Sequence, residues 1–197
     1  MTPYTVCYYQ DGILVVDKPV GLPSQPSQNH STDLYTALCQ KHSYVGLHHR
    51  LDTPTSGLLL FTTDKRHNSA IAEQLRAHGL SRIYWAALLG HPPDSGSWTT
   101  PVRGKKAISH YKIIHRGSAV SIAEVQLKTG RTHQIRRHAA EAGHPILGDR
   151  RYGGTCGRLW PRLALHAQSL SFTHPAHGET ITVTAALPNA LDGLYSM

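Results

Sequence analysis

Apolar and polar positions change period several times along this chain, in short bursts that mark alternating strands and helices. Ile13–Val16 is an apolar run closed by Asp17-Lys18-Pro19, Gly21 and Pro23, which predicts a strand running into an irregular stretch over 17–31. Thr32-Asp33 can cap a helix through about Lys41, with Leu34 and Leu38 on one face. After a polar stretch from Tyr44 to Gly57, Gly57–Thr63 reads as a buried strand. Asp64 is then a natural N-cap for a helix over Lys65–His78, with Ile71 and Leu75 facing inward and Gly79 as the stop signal. Arg82–Leu89, rich in aromatic and apolar residues, predicts a strand, and residues 92–106 a flexible loop.

Ile108–Ile114 and Ala119–Leu127 predict a hairpin turning at Arg116-Gly117-Ser118, with a bulge where the second strand switches face between Ile122 and Val125. Thr132 is positioned to cap a helix through Ala142, ended by Gly143 and Pro145, and Leu163–Thr173 and Thr180–Ala185 read as strands. Hairpins outnumber plausible crossover units. The expectation is therefore an α+β fold, a mainly antiparallel mixed sheet flanked by helices and loops. With 197 residues and no evident linker, a single domain is expected.

Composition excludes wholesale disorder, since 40% of residues are hydrophobic and 16% charged. Charge adds more: 20 Lys+Arg against 12 Asp+Glu give a net +8, which favours an anionic partner such as nucleic acid. The excess is local. Residues 1–94 hold seven cations and seven acids, whereas residues 95–178 hold thirteen cations and only Glu124, Glu141 and Asp149. That imbalance suits an anion-binding face better than general solubility.

Cys7, Cys39 and Cys156 form no C-x-x-C pair, which argues against a disulfide framework or a Cys-based zinc site and fits a reducing compartment. The N-terminus lacks a signal-peptide pattern, and the longest apolar runs, Gly57–Phe61 and Ile83–Gly90, are too short for a membrane span, so a cytoplasmic protein is expected. Fifteen histidines raise the question of a metal, but there is no H-E-x-x-H, and His133 and His138 at i, i+5 do not share a helix face; no metal is expected. Neither G-x-x-x-x-G-K-[ST] nor G-x-G-x-x-G occurs, which disfavours nucleoside triphosphate and dinucleotide cofactors.

Two segments carry candidate chemistry. In His48-His49-Arg50-Leu51-Asp52-Thr53-Pro54-Thr55-Ser56-Gly57 a lone carboxylate follows three basic side chains. A nearby guanidinium favours the ionised carboxylate that a nucleophile or general base needs; a structural Asp bonding within a turn fits the same spacing. Thr129-Gly130-Arg131-Thr132-His133-Gln134-Ile135-Arg136-Arg137-His138 opens a helix without the acid that its dipole prefers. The open N–H groups with Arg131 and His133 suit a phosphate or a buried carboxylate, and Arg136, beside the apolar row of Ile135 and Ala139, needs a partner. Tyr84 and Trp85 point to opposite faces of their strand, so one can pack in the core while the other faces a cleft and stacks on a base.

These residues resemble the RluA family of RNA pseudouridine synthases. His49-Arg50-Leu51-Asp52 with Thr55-Ser56-Gly57-Leu58 is similar to the family's catalytic motif, and Arg82-Ile83-Tyr84-Trp85-Ala86 with Gly90 to its tyrosine motif. Thr129–Arg136 with Gly143-His144-Pro145-Ile146 and Gly148-Asp149 is similar to its arginine motif. Asp17-Lys18-Pro19 with Gly21, and Leu165-His166-Ala167 with His174-Pro175, also fit, so the likeness covers nearly the whole chain in order. Arg82 stands where many members carry Lys, the segment between Gly90 and His110 is short, and no separate N-terminal RNA-binding module is expected before residue 13.

The resemblance implies a pseudouridine-synthase catalytic domain in which Asp52 is the catalytic carboxylate, Tyr84 packs against the target base, and Arg136 pairs with Asp52. Arg50 and His49, with Arg131 and His133, are then candidate substrate contacts. The implied reaction breaks the N1–C1′ bond of a uridine, turns the base and rejoins it through C5. Asp52 can serve it by attacking C1′, adding to C6 or taking a proton from the sugar. The implied partner is a stem-loop of tRNA or ribosomal RNA, bound by a monomer with no obligate protein partner, cofactor or metal. The alternatives are an inert basic RNA-binding or ribosome-assembly module on the same fold, or a glycosyl hydrolase, which normally uses two carboxylates.

Overall fold

The computed structural model describes residues 4–28 and 30–196. Its first element, β1 (Thr5–Gln10), is absent from the sequence expectation because it is exposed nearly throughout and has no apolar alternation. It pairs antiparallel with β2 (Ile13–Lys18) through a two-residue turn, in which Asp11 and Gly12 both take positive φ, 42° and 79°. Helix α1 (Leu34–Cys39) starts as expected, the Asp33 carboxylate accepting from the N–H of Thr36, and ends two residues before Lys41. A short β3 (Gly46–Leu47) precedes β4 (Ser56–Thr62), which is buried at every position.

Asp64 caps a single 3-10 turn over Lys65–His67 before α2 (Asn68–Arg76). The left-handed residue ending this stretch is His78, φ 58°, and not Gly79. Strand β5 (Ser81–Leu89) is where the pattern put it. The expected flexible loop over 92–106 instead contains β6 (Ser95–Trp98). Its neighbour β7 (Ser109–Arg116) explains why: a Cβ on Gly96 would lie 2.8–2.9 Å from the Tyr111 ring, so glycine lets that ring cross the strand and stack on Trp98 at 4.5 Å.

Strand β8 (Val120–Leu127) completes the expected hairpin, but the bulge lies on β7, between Ile113 and His115. Strand β8 pairs with β5 in unbroken register from Val120 to Gln126, so it carries no bulge there, and Val120 to Ala123 are buried on both faces. Helix α3 (Gln134–Glu141) is followed by Gly143 at φ 82°, and β9 (Leu165–Thr173) and β10 (Thr180–Thr184) match the expectation. A short α4 (Asn189–Asp192) lies near the end.

The chain divides into two compact units, Met1–Ser81 with Ser169–Ala185, and Arg82–Gln168 with Ala186–Met197. In the first, β1, β2 and β4 form an antiparallel sheet with β3 added on β4, and β10 pairs with Ser169–Thr173 of β9. Ile13, Val15, Leu58, Leu60, Ile71 and Phe172 pack into its core, each such burial contributing about 1.5–3 kcal/mol. In the second, β5, β8, β7 and β6 are successive antiparallel neighbours. Each of these pairings is antiparallel, as expected of an α+β chain with few helices. No helix among the described residues is long and apolar enough to cross a membrane.

Candidate active site

Asp52 sits half-buried in the loop that feeds β4, and the backbone on both sides of it is pinned. Before it, Ser24 Oγ donates to the Leu51 carbonyl at 2.8 Å and accepts the Leu51 N–H at 3.0 Å. After it, the fully buried Lys18 extends its ammonium group to the carbonyls of Thr53 (3.3 Å), Leu22 (2.8 Å) and Pro19 (2.9 Å). Three donors meet three carbonyls, the arrangement a buried ammonium requires. The Gly21 N–H adds a bond to the Thr53 carbonyl, and Thr55 N–H closes a turn on the Asp52 carbonyl. The Asp17-Lys18-Pro19-x-Gly21 motif is thus the scaffold of the Asp52 loop, a role the sequence did not disclose.

The preceding histidines face the same strand. His49 Nε2 accepts from the Leu60 N–H at 3.1 Å, and His48 Nε2 meets Thr62 Oγ1 at 2.9 Å. Thr62 Oγ1 in turn donates to Asn68, whose side-chain amide reaches the Tyr44 hydroxyl. A Cβ on Gly46 would lie 2.3 Å from Thr62 Oγ1, so this chain of polar groups requires glycine there. Burial holds the His48 ring below the usual imidazole range. Arg50 projects into solvent.

In the second unit Arg136 is 5% exposed, and its partner is Asp149: Nε donates to Oδ2 and Nη2 to Oδ1, both at 2.8 Å. The backbone N–H groups of Arg151 and Tyr152 also donate to Oδ1, at 3.0 and 3.2 Å. Burial pushes the Asp149 carboxyl up, but the hydrogen bonds and charge of Arg136 and the two backbone donors outweigh it and hold it below the ordinary range. The chain reaches this geometry through Gly148, φ 73°, where a Cβ would lie 2.0 Å from the Arg162 carbonyl oxygen. Arg136 Cζ also lies 5.2 Å from the centroid of the Tyr152 ring, and the Tyr152 hydroxyl meets His133 Nδ1 at 2.9 Å. His133, Arg136, Asp149 and Tyr152 therefore form one connected group.

The start of α3 differs from the expectation. Thr132 does not cap it: the N-cap is His133, in the left-handed region at φ 57°, with no side-chain capping bond. The buried Gln134 side chain takes over, accepting from Arg131 N–H and Thr129 Oγ1 and donating to the Ile108 carbonyl and Ser109 Oγ. Arg131 is exposed, its Nε donating to the Lys106 carbonyl at 3.1 Å. A Cβ on Gly130 would lie 3.1 Å from Arg82 Nη1, so the tyrosine and arginine motifs meet at that point. Tyr84 and Trp85 are both buried, 5% and 0% exposed, and Trp85 Nε1 donates to the Tyr195 hydroxyl at 2.9 Å.

Histidine 166, at the closing Leu165-His166-Ala167 motif, is fully buried, and burial reinforced by the positive charge of Arg162 depresses it to about 4. The folded chain thus holds this ring neutral while the unfolded chain protonates it near 6.5, so its contribution is complete above that pH and is lost as pH falls towards 4. The expected stability in urea is roughly 2–3 kcal/mol lower at pH 4.5 than at pH 7.5 from this ring. His166→Gln should lose that much less over the same interval; equal losses in both proteins would contradict it.

A sequence model described as RNA pseudouridylate synthase matches residues 12–141. The chain is 36% identical over 225 residues to ribosomal large subunit pseudouridine synthase D of Neisseria meningitidis, covering 98% of this chain but 60% of the relative. It is also 36% identical over 205 residues to the dual-specificity RNA pseudouridine synthase RluA of Escherichia coli K12, covering 93% of each. The structure matches human RNA pseudouridylate synthase domain containing 1 with a TM-score of 0.82 at 24% identity, covering 99% of this chain and 89% of that one, a likeness of fold. With its catalytic, tyrosine and arginine motifs each built into a defined local structure, the chain belongs to the RluA family of RNA pseudouridine synthases.

Proposed function

We propose that this protein isomerises a uridine of a tRNA or ribosomal RNA stem-loop to pseudouridine, with Asp52 as the catalytic carboxylate. The observation that carries the reading is the construction of the Asp52 loop: Leu51 and Thr53 are both fixed by buried polar groups, Ser24 and Lys18, so the main chain that carries the carboxylate is held in place. A fixed carboxylate is what a reaction with one acid group requires, because position supplies what a second catalytic group would otherwise provide.

In this reading the N1–C1′ bond of the uridine breaks, the uracil turns, and C5 bonds to C1′; the C5 hydrogen leaves as a proton and N1 gains one. No oxidant, metal or nucleotide is consumed. Tyr84 packs against the base, and Arg136 serves as the charge partner of Asp52, as the family likeness implies. Arg136 arrives already oriented, because Asp149 fixes two of its nitrogens. Arg50, His49, Arg131 and His133 are assigned to the RNA around the target. Flipping the uridine out of its stack costs a few kcal/mol, which phosphate contacts from the basic 95–178 segment offset. The protein is assigned to the cytoplasm and to action as a monomer with RNA as its only partner.

The experiment uses RNA transcribed with uridine tritiated at C5 and drawn from tRNA and ribosomal RNA loops. Isomerisation releases one tritium to water per pseudouridine formed. Tritium release with the base still attached to the RNA supports the reading; release of free uracil would establish a hydrolase, and tight binding with neither product would establish an inert RNA-binding module.

A further inference from the structure

The second unit contains a concavity of about 590 Å³ that the proposed reaction does not use, lined by Arg150, Gly154, Gly157, Arg158, Trp160 and Pro161. Its volume is in the range that takes a small organic ligand. Its chemistry is specific: two exposed guanidinium groups and one indole, with no acid among the lining residues. The indole is tethered, Trp160 Nε1 donating to the Ala190 carbonyl at 3.2 Å. The floor is close-packed, since a Cβ on Gly157 would lie 2.6 Å from the Asp149 carbonyl oxygen and 2.9 Å from Arg150 Cα. Gly153 N–H donates to that same carbonyl at 2.8 Å. The wall is thus an extension of the segment that grips Arg136.

We propose that this concavity is a second RNA subsite, which takes a nucleotide other than the target with its phosphate between Arg150 and Arg158 and its base against Trp160. The proposal rests on RNA being the substrate. Guanidinium groups pair with phosphate through forked donors, and a tethered indole supplies a stacking face that accepts any base. An acidic peptide would satisfy the two arginines but would leave the indole unused, so the set favours a nucleotide. Because the floor packs on Asp149, RNA held here is held in fixed register with the Arg136 group.

The test measures binding, independently of turnover. A fluorescein-labelled RNA stem-loop with a seven-uridine loop is titrated with wild type, Arg150→Ala/Arg158→Ala, Trp160→Ala, Trp160→Phe and the charge-matched control Lys41→Ala/Arg76→Ala, whose residues lie outside the basic 95–178 segment, at several salt concentrations. The arginine pair is expected to bind at least about tenfold more weakly than the control, with the salt slope reduced by about 0.7 for each lost single-strand phosphate contact. Trp160→Ala should cost about tenfold and Trp160→Phe much less. All these side chains are at least partly exposed, so unfolding is not expected, and thermal melts verify it.

Variants that bind like the control overturn the subsite whatever the isomerisation assay reports. Weakened binding in variants of a wild type that releases no tritium keeps the subsite and overturns the assigned reaction. Displacement of the RNA by polyglutamate as effectively as by decauridine, lost in the same variants, would make the ligand an acidic protein and overturn the nucleotide assignment.

Discussion

Asp52→Asn is expected to abolish tritium release from C5-labelled RNA, by at least about a thousandfold, while leaving RNA affinity within a few-fold of wild type. The substitution keeps size and hydrogen-bonding capacity and removes only the charge and the basic or nucleophilic oxygen. The loop should survive it, because Ser24 holds the Leu51 backbone and Lys18 and the Gly21 N–H hold the Thr53 carbonyl, contacts that do not involve the Asp52 side chain. Loss of turnover with an unchanged melting temperature is therefore the informative combination. Retained turnover in the purified variant would remove Asp52 from the chemistry and leave it a turn-forming residue.

Asp149→Ala should have the largest effect on stability. It leaves the Arg136 guanidinium, 5% exposed, without the carboxylate that takes two of its nitrogens. Breaking a buried pair on one side typically costs about 3–5 kcal/mol, or roughly 6–20 °C in melting temperature for a chain of this size. Asp149→Leu combined with Arg136→Met should recover much of the stability, because neither charge is then buried alone. If Arg136 has the assigned role, the double variant should stay inactive despite its recovery. An Asp149→Ala protein that melts within a degree or two of wild type would mean that the pair contributes nothing net.

Much of the fold was legible because its strands and helices carry strong local signals. The fully buried β4 is an unbroken apolar run, and α1 begins at an Asp whose carboxylate finds the expected N–H. What escaped was set by tertiary contact. Strand β1 is almost wholly exposed, so no alternation reveals it, although Asp11-Gly12 is the turn signal that a hairpin needs. Strand β6 lies in a Gly/Ser-rich segment that becomes a strand only because Tyr111 packs across Gly96. Thr132 had the right chemistry for a cap, and the long-range bonds of Gln134 displaced it.

The candidate site was legible to a similar depth. Asp52, Tyr84 and Arg136 came from motifs, and the need of Arg136 for a partner came from its place beside an apolar row. That the partner within its own unit is Asp149 could have been narrowed from the scarcity of acids, since 95–178 contains only three. The role of Lys18 could not, because a lysine that caps three carbonyls looks in sequence like any surface lysine. His48 and His49 stand beside Asp52 in the chain, yet their Nε2 atoms bond to β4, which adjacency alone does not show.

The buried ammonium of Lys18 also sets how the Asp52 loop can fluctuate. Lifting Thr53 or Leu22 away would strand a cation in a site with no solvent exposure, so small openings of the loop are as unfavourable as opening the sheet itself, where Lys18 ends a strand flanked on both sides. Solvent deuterium therefore reaches the amides of Gly21 and Leu51 on the timescale of core opening, although they lie in irregular backbone. A loop tied to its sheet in this way has little independent motion, and under the proposed function the adjustment needed to admit a flipped nucleotide falls to the RNA.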